Sequence, residues 1–244
     1  MRARSTPPIG ALESEIATRL RADGASLVGF ADLSGFPDEA THGFSSAVSI
    51  AKALDPSVVA ELERGPTPAY HEEYDRVNLE LGRLAEIAAG LLGERGHGAL
   101  LGAATVKAVL PGKDTTPLPH KTVATRAGLG WIGHSALLVT RENGPAVRLV
   151  SVLTDAPLTG AGAVERSSCG TCRRCVEACP AAAISGRPWV PGLPRDQLLD
   201  AEACRERATA LAATRGIDAT ICGICIFACP WTQRHLERSR AVTK

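Results

Sequence analysis

The chain has 244 residues, 45% of them hydrophobic and only 4% aromatic, so it can form one large domain or two ordinary ones packed mainly by Ala, Leu, Val and Ile. A net charge of +1, with no basic tail and no charge block, gives no support to nucleic-acid binding. The amino-terminal MRARSTPPIGALESE lacks the apolar centre of a secretory signal, and no apolar segment approaches the ~20 residues of a bilayer span. A cytoplasmic protein with no membrane partner is therefore expected, with cysteines kept reduced and available to metal rather than to disulfides.

In chain order, GALESEIATRLRADG places Leu12, Ile16 and Leu20 at i, i+4, i+8, which predicts an amphipathic helix stopped at Gly24. SLVGFADL (26–33) and SAVSIAKAL (46–54) read as buried strands. A long helical pattern runs through Tyr74, Val77, Leu81, Leu84, Ile87 and Leu91 and ends near Gly96, and GALLGAATVKAV (98–109) reads as another strand. KTVATRAG reads as a short helix. SALLVT (135–140), the turn ENGP and AVRLVSVLTD (146–155) predict a hairpin. The expected architecture is α+β: a mixed-sheet α/β sandwich over residues 1–165, then a ferredoxin-like two-cluster [4Fe-4S] domain over 166–244.

That boundary comes from the cysteines, all eight of which fall between 169 and 229. CGTCRRCVEACP spaces Cys169, Cys172, Cys175 and Cys179 as C-x2-C-x2-C-x3-C-P, the run of a two-cluster bacterial ferredoxin. CGICIFACP repeats the last three positions as Cys222, Cys225 and Cys229, with Ala219 where the first run has Cys169. Cys204, alone between the runs, makes up the number. In the two-cluster arrangement the last cysteine of a run serves the other cluster. One cubane is therefore assigned Cys169, Cys172, Cys175 and Cys229, and the other Cys179, Cys204, Cys222 and Cys225. A zinc ribbon shares the C-x2-C pairs but needs neither the third cysteine nor the Cys-Pro.

A second signal is KDTTPLPHKTVATRAGLGWIGHSALLVT, Lys113 to Thr140. Its Asp-x-x-Pro, Lys121, AGLGWIG, the hairpin expected after it and the cysteine order together resemble the iron–sulfur core of epoxyqueuosine reductases and, more distantly, the reductive dehalogenases. The resemblance covers roughly 105–232. It implies two [4Fe-4S] clusters behind a front domain holding a corrinoid (cobalamin), with Asp114 at the position of a proton-donating acid. It also implies Lys121, Gly128, Gly130, Trp131 and Gly133 near the cofactor. Physically, an Asp beside an apolar cofactor would have a raised pKa and stay protonated; equally, Asp114 can begin a turn and bond backbone N–H groups. The glycines permit close approach of a flat ligand, or Gly128 caps a helix and Trp131 is a core residue.

His120 and His134 flank the glycine segment and are candidates for moving protons. They also mark departures from the family, which has Glu before this Lys and Gly-Lys after the tryptophan. The chain stops fifteen residues after Cys229, without the helical-repeat tail that many such reductases carry for tRNA, so tRNA is not expected as a partner. No dinucleotide fingerprint or P-loop occurs, which makes reduced ferredoxin or flavodoxin the expected electron donor. The expected function is an iron–sulfur oxidoreductase passing electrons through two [4Fe-4S] clusters to a front-domain site, a corrinoid by the resemblance, for a reductive reaction on a small-molecule substrate or protein partner. The alternatives are an electron-transfer or reductive-activator protein serving a protein partner, and epoxyqueuosine reduction on tRNA.

Overall fold

The computed structural model describes residues 10–103 and 116–242. In chain order the elements are α1 (Ala11–Ala22), β1 (Leu27–Asp32), α2 (Asp38–Thr41), β2 (Ser46–Ala53), α3 (Pro56–Val59), α4 (Pro68–Glu94), β3 (Ala99–Leu101), α5 (His120–Arg126), β4 (Trp131–Ile132), β5 (Leu138–Val139), β6 (Val147–Thr154), α6 (Arg174–Ala178), α7 (Ala201–Ala213), α8 (Ile224–Phe227) and α9 (Pro230–Val242). The chain is α+β, as expected. No helix among the described residues is long and apolar enough to cross a membrane. The fold divides into two units: Met1–Lys52, Glu80–Leu129 and Leu149–Ala163 form the first, and Ala53–Leu79, Gly130–Arg148 and Val164–Lys244 the second.

The first unit is built on a four-stranded sheet of order β1-β2-β6-β3. β1 pairs antiparallel with β2 from Leu27↔Ala51 to Asp32↔Ser46, and β3 pairs antiparallel with β6 from Ala99↔Thr154 to Leu101↔Val152. α1 buries Leu12, Ile16 and Leu20, the stripe its spacing predicts. It ends where Gly24 takes φ +102° and the Ala25 N–H reaches the Leu20 carbonyl at 2.9 Å, a turn that only glycine makes without strain. α4 buries Val77, Leu81, Leu84, Ala88 and Leu92 along one face. α5 packs on β1 so closely that a Cβ at Gly29 would stand 2.6 Å from the Ala127 carbonyl oxygen. Around that contact Ala31, Leu33, Ala47, Val123, Ala127 and Leu153 form one apolar cluster. Glu13, itself buried, accepts from the Thr159 N–H and hydroxyl at 2.9 Å each and pins the segment after β6.

The predicted hairpin does not form. β5 turns back onto β4, with Trp131 opposite Val139 and Ile132 opposite Leu138. The ENGP segment only closes a tight bridge between Thr140 and Gly144, and β6 becomes an inner strand of the four-stranded sheet. Periodicity could not separate these outcomes. An inner strand satisfies N–H and C=O groups on both edges and buries its last five residues, which a two-stranded ribbon cannot do. The strand expected over 98–109 is β3 at Ala99–Leu101, and residues 104–109 lie outside the described residues.

Candidate metal centre

The cysteines are held by short helices and tight turns of the second unit. Cys169 to Cys172 is a turn closed by Cys172 N–H to Cys169 carbonyl at 3.2 Å, with Gly170 at φ +55°. Cys175 lies on α6 and Cys179 caps it. Cys204 sits in the first turn of α7, whose N-cap Asp200 accepts the Ala203 N–H at 3.0 Å. Gly223, at φ +88°, opens α8 between Cys222 and Cys225, and a Cβ there would meet the Leu62 side chain at 2.8 Å. Cys229 precedes α9, and its sulfur accepts the Trp231 and Thr232 N–H groups, as an acceptor at a helix N-terminus does.

Four of these thiols surround one void. A cavity of about 50 Å³ is lined by Cys169, Cys172, Cys175 and Cys229, with Gly133, His134, Val139 and Trp231 completing its wall. Three of the cysteines come from the first run and one from the second. The other four are also mutual neighbours. Burial pushes the Cys204 thiol above its ordinary range, and negative charge on Cys179 and Cys222 pushes it further. Cys225 is raised by burial first and then by Cys222, Cys204, Cys175 and Cys179. Burial pushes Cys175 up to about 11, with Cys169, Cys229 and Cys172 adding to the rise. Thiols crowded this way repel one another as thiolates. A polynuclear cation at their centre reverses that penalty and deprotonates its ligands. Among the described residues no three His, Cys, Asp or Glu side chains converge on a single-ion position; the cysteines line a volume instead, and the donor set and the void fit a cluster.

The crowding has a consequence for metal-free protein. Because the folded Cys175, Cys204, Cys222, Cys225 and Cys229 thiols titrate above the ordinary value of 9.0, the folded state holds more protons than the unfolded state once the pH exceeds about 9. The stability contributed by the protonated thiols is complete below that point and is lost as pH rises toward 11, the value for Cys175. Thermal melts of metal-free protein should show a lower Tm at pH 10.5 than at pH 8.5. An unchanged Tm contradicts the buried-thiol geometry.

The other predicted site residues are placed as follows. Asp114 lies outside the described residues. His120 opens α5 with Nε2 2.8 Å from the Ala103 carbonyl oxygen and Nδ1 3.1 Å from the Ser151 hydroxyl. A carbonyl only accepts, so Nε2 carries the proton and Nδ1 accepts from Ser151. Lys121, next on α5, is half-buried. His134 is 4% exposed, lines the cysteine cavity and donates from Nδ1 to the Cys172 carbonyl at 2.8 Å.

Gly128 follows Ala127, the C-cap of α5, at φ +74°. A Cβ at Gly130 would stand 2.2 Å from the Val139 carbonyl oxygen, and one at Gly133 would stand 2.7 Å from the Val139 side chain and 3.4 Å from the Cys169 sulfur. Trp131 is buried edge-on against Trp231, centroids 5.3 Å apart, with its indole N–H unpartnered. Gly130 and Gly133 thus lie against Val139, and Trp131 against Trp231. Trp231 escaped sequence reasoning, although it directly follows Cys229-Pro230. It lines the cavity, and the Arg234 guanidinium stacks over its ring at 4.8 Å.

Comparison with known proteins agrees with this geometry. Residues 168–232 match the family model described as the 4Fe-4S double cluster binding domain. The cysteine-rich segment is a double-cluster domain. Beyond that domain, the chain is similar to epoxyqueuosine reductases. It is 37% identical over 128 residues to that of a Synechocystis species, covering 51% of this chain and 43% of that protein. It is 38% identical over 128 residues to that of a Synechococcus species, covering 52% and 39%. The chain thus spans about two fifths of the length of these curated relatives.

Among solved structures, the epoxyqueuosine reductase from Streptococcus thermophilus shares the fold with a TM-score of 0.56 at 21% identity, over 90% of this chain and 66% of that one. A reductive dehalogenase described as suggesting a mechanism for B12-dependent dehalogenation matches with a TM-score of 0.68 at 17% identity, over 98% of this chain and 36% of that one. The double-cluster domain is thus set in a fold shared with both kinds of reductase.

Proposed function

We propose that the protein is an iron–sulfur oxidoreductase that passes single electrons through two [4Fe-4S] clusters to a reductive reaction. Cys169, Cys172, Cys175 and Cys229 hold one cluster and Cys179, Cys204, Cys222 and Cys225 the other. The observation that carries this reading is the cavity shared by three cysteines of the first run and one of the second. Crossed ligation places the two clusters side by side, and the electrostatic contact of Cys175 with Cys225 supports a short path between them. Reduced ferredoxin or flavodoxin is the donor that suits a chain with no dinucleotide fingerprint. Asp114 is the proposed proton donor, by the resemblance of its Asp-x-x-Pro segment to that of the epoxyqueuosine reductases. A corrinoid acceptor is supported by the fold shared with the B12-dependent dehalogenase.

Anaerobic protein mixed with reduced ferredoxin or flavodoxin should lose its broad iron–sulfur absorbance. Recovery of that absorbance on adding cobalamin would support the corrinoid acceptor. Bleaching without recovery leaves the electron-transfer reading standing and removes the corrinoid. No bleaching, even with dithionite, contradicts the proposal.

The second reading, epoxyqueuosine reduction on tRNA, is favoured by the identity to epoxyqueuosine reductases; one related structure is bound to a tRNA stem loop. A strain lacking its own epoxyqueuosine reductase decides it. Queuosine restored by this chain establishes the tRNA substrate, and none restored removes it.

A further inference from the structure

Resting on the two-cluster reading, we propose that His134 is a positioning residue for one cluster alone. Its Nδ1–H clasp on the Cys172 carbonyl fixes the ligand loop of the cluster held by Cys169, Cys172, Cys175 and Cys229, and its ring closes that cavity to water. Three observations converge on the side chain. His134 is 4% exposed, so its ring is packed away from solvent. It lines the cavity shared by those four cysteines. Its polar bond, 2.8 Å long, goes to the peptide of a cluster ligand.

The local backbone makes the clasp directional. Gly133 precedes the histidine, and a Cβ there would press on Val139 and approach the Cys169 sulfur at 3.4 Å. The chain can therefore run close beside the ligand loop, and the next side chain reaches over it. Cys172 is then held twice, by its N–H on the Cys169 carbonyl and by its carbonyl under His134. Among the described residues His134 makes no such contact with Cys179, Cys204, Cys222 or Cys225, so the effect belongs to a single cluster.

Hydrogen bonding around the ligands and solvent access both set the potential of an iron–sulfur cluster. Removing the ring lets water in beside the cluster. Water favours the more highly charged reduced form, which raises the midpoint potential.

The test is an EPR-monitored redox titration, with iron analysis, of wild type, His134→Ala, His134→Asn and His134→Gln. Asparagine keeps an N–H donor at the position of Nδ1, whereas glutamine carries its donor one atom further out. The signal in question is the one that survives Cys204→Ala. In His134→Ala that cluster's midpoint should rise, or its signal should be lost, while the other midpoint stays in place. Asparagine, which keeps the clasp but not the ring, should restore it in part, and glutamine should not. If the alanine variant does not fold, the asparagine and glutamine pair decides alone. Unmoved midpoints, an equal shift of both clusters, or equal rescue by glutamine would overturn the proposal. Wild-type protein without iron would instead remove the cluster reading before any variant is compared.

Discussion

Replacing Cys204 by alanine is expected to halve the iron content, from about eight to about four atoms per chain, and to remove one of two EPR signals. Cys204 is the one cysteine outside the two runs. It sits in the first turn of α7, where its N–H bonds to the Asp200 carbonyl at 3.1 Å, so the helix orients its thiol. That thiol is neighboured by Cys179 and Cys222. Alanine is the strongest helix former, so α7 should persist and the loss should report ligation rather than unfolding. A zinc ribbon built from the two runs would have no use for Cys204. Retention of both signals with full iron would contradict the ligand assignment.

Cys229→Ala should remove the same cluster as Cys172→Ala, and Cys179→Ala the same cluster as Cys225→Ala. If each run held its own cluster, Cys229→Ala would match Cys225→Ala instead, since both belong to the second run. The shared cavity favours crossing: Cys229 faces Cys169, Cys172 and Cys175 across one void. The Cys-Pro that ends each run gives the reason. Proline at 230 fixes φ and starts α9, whose first N–H groups bond the Cys229 sulfur, so the chain leaves in a new direction just after the ligand. Spectra of the four variants should fall into two pairs. Pairing by run would overturn the crossed assignment while leaving two clusters in place.

Much of this was legible in the residues. Helices α1, α4 and α5 follow from apolar spacing near 3.6 and from glycine stops, because those signals are local. The cysteine spacings are legible for the same reason: one cluster needs several thiolates from one short loop. What failed was long-range pairing. Two apolar segments joined by ENGP look like a hairpin, yet β6 finds partners in β2 and β3 that no local pattern names. The glycines of AGLGWIG were legible as places of close approach, but not for the group approached. For Gly130 and Gly133 it is β5, and for Gly133 also a cluster ligand. His134 read as a candidate proton carrier, and the structure shows its Nδ1–H committed to the Cys172 peptide. Trp231 carried no signal beyond its position beside Cys229-Pro230.

The central claim is most directly tested by iron, sulfide and zinc analysis of anaerobically purified protein, with EPR after dithionite reduction. The account predicts about eight iron and about eight sulfide per chain, with spectra broadened by two paramagnetic clusters close to one another. Zinc as the sole metal, or about four iron with a single unperturbed signal, would contradict it.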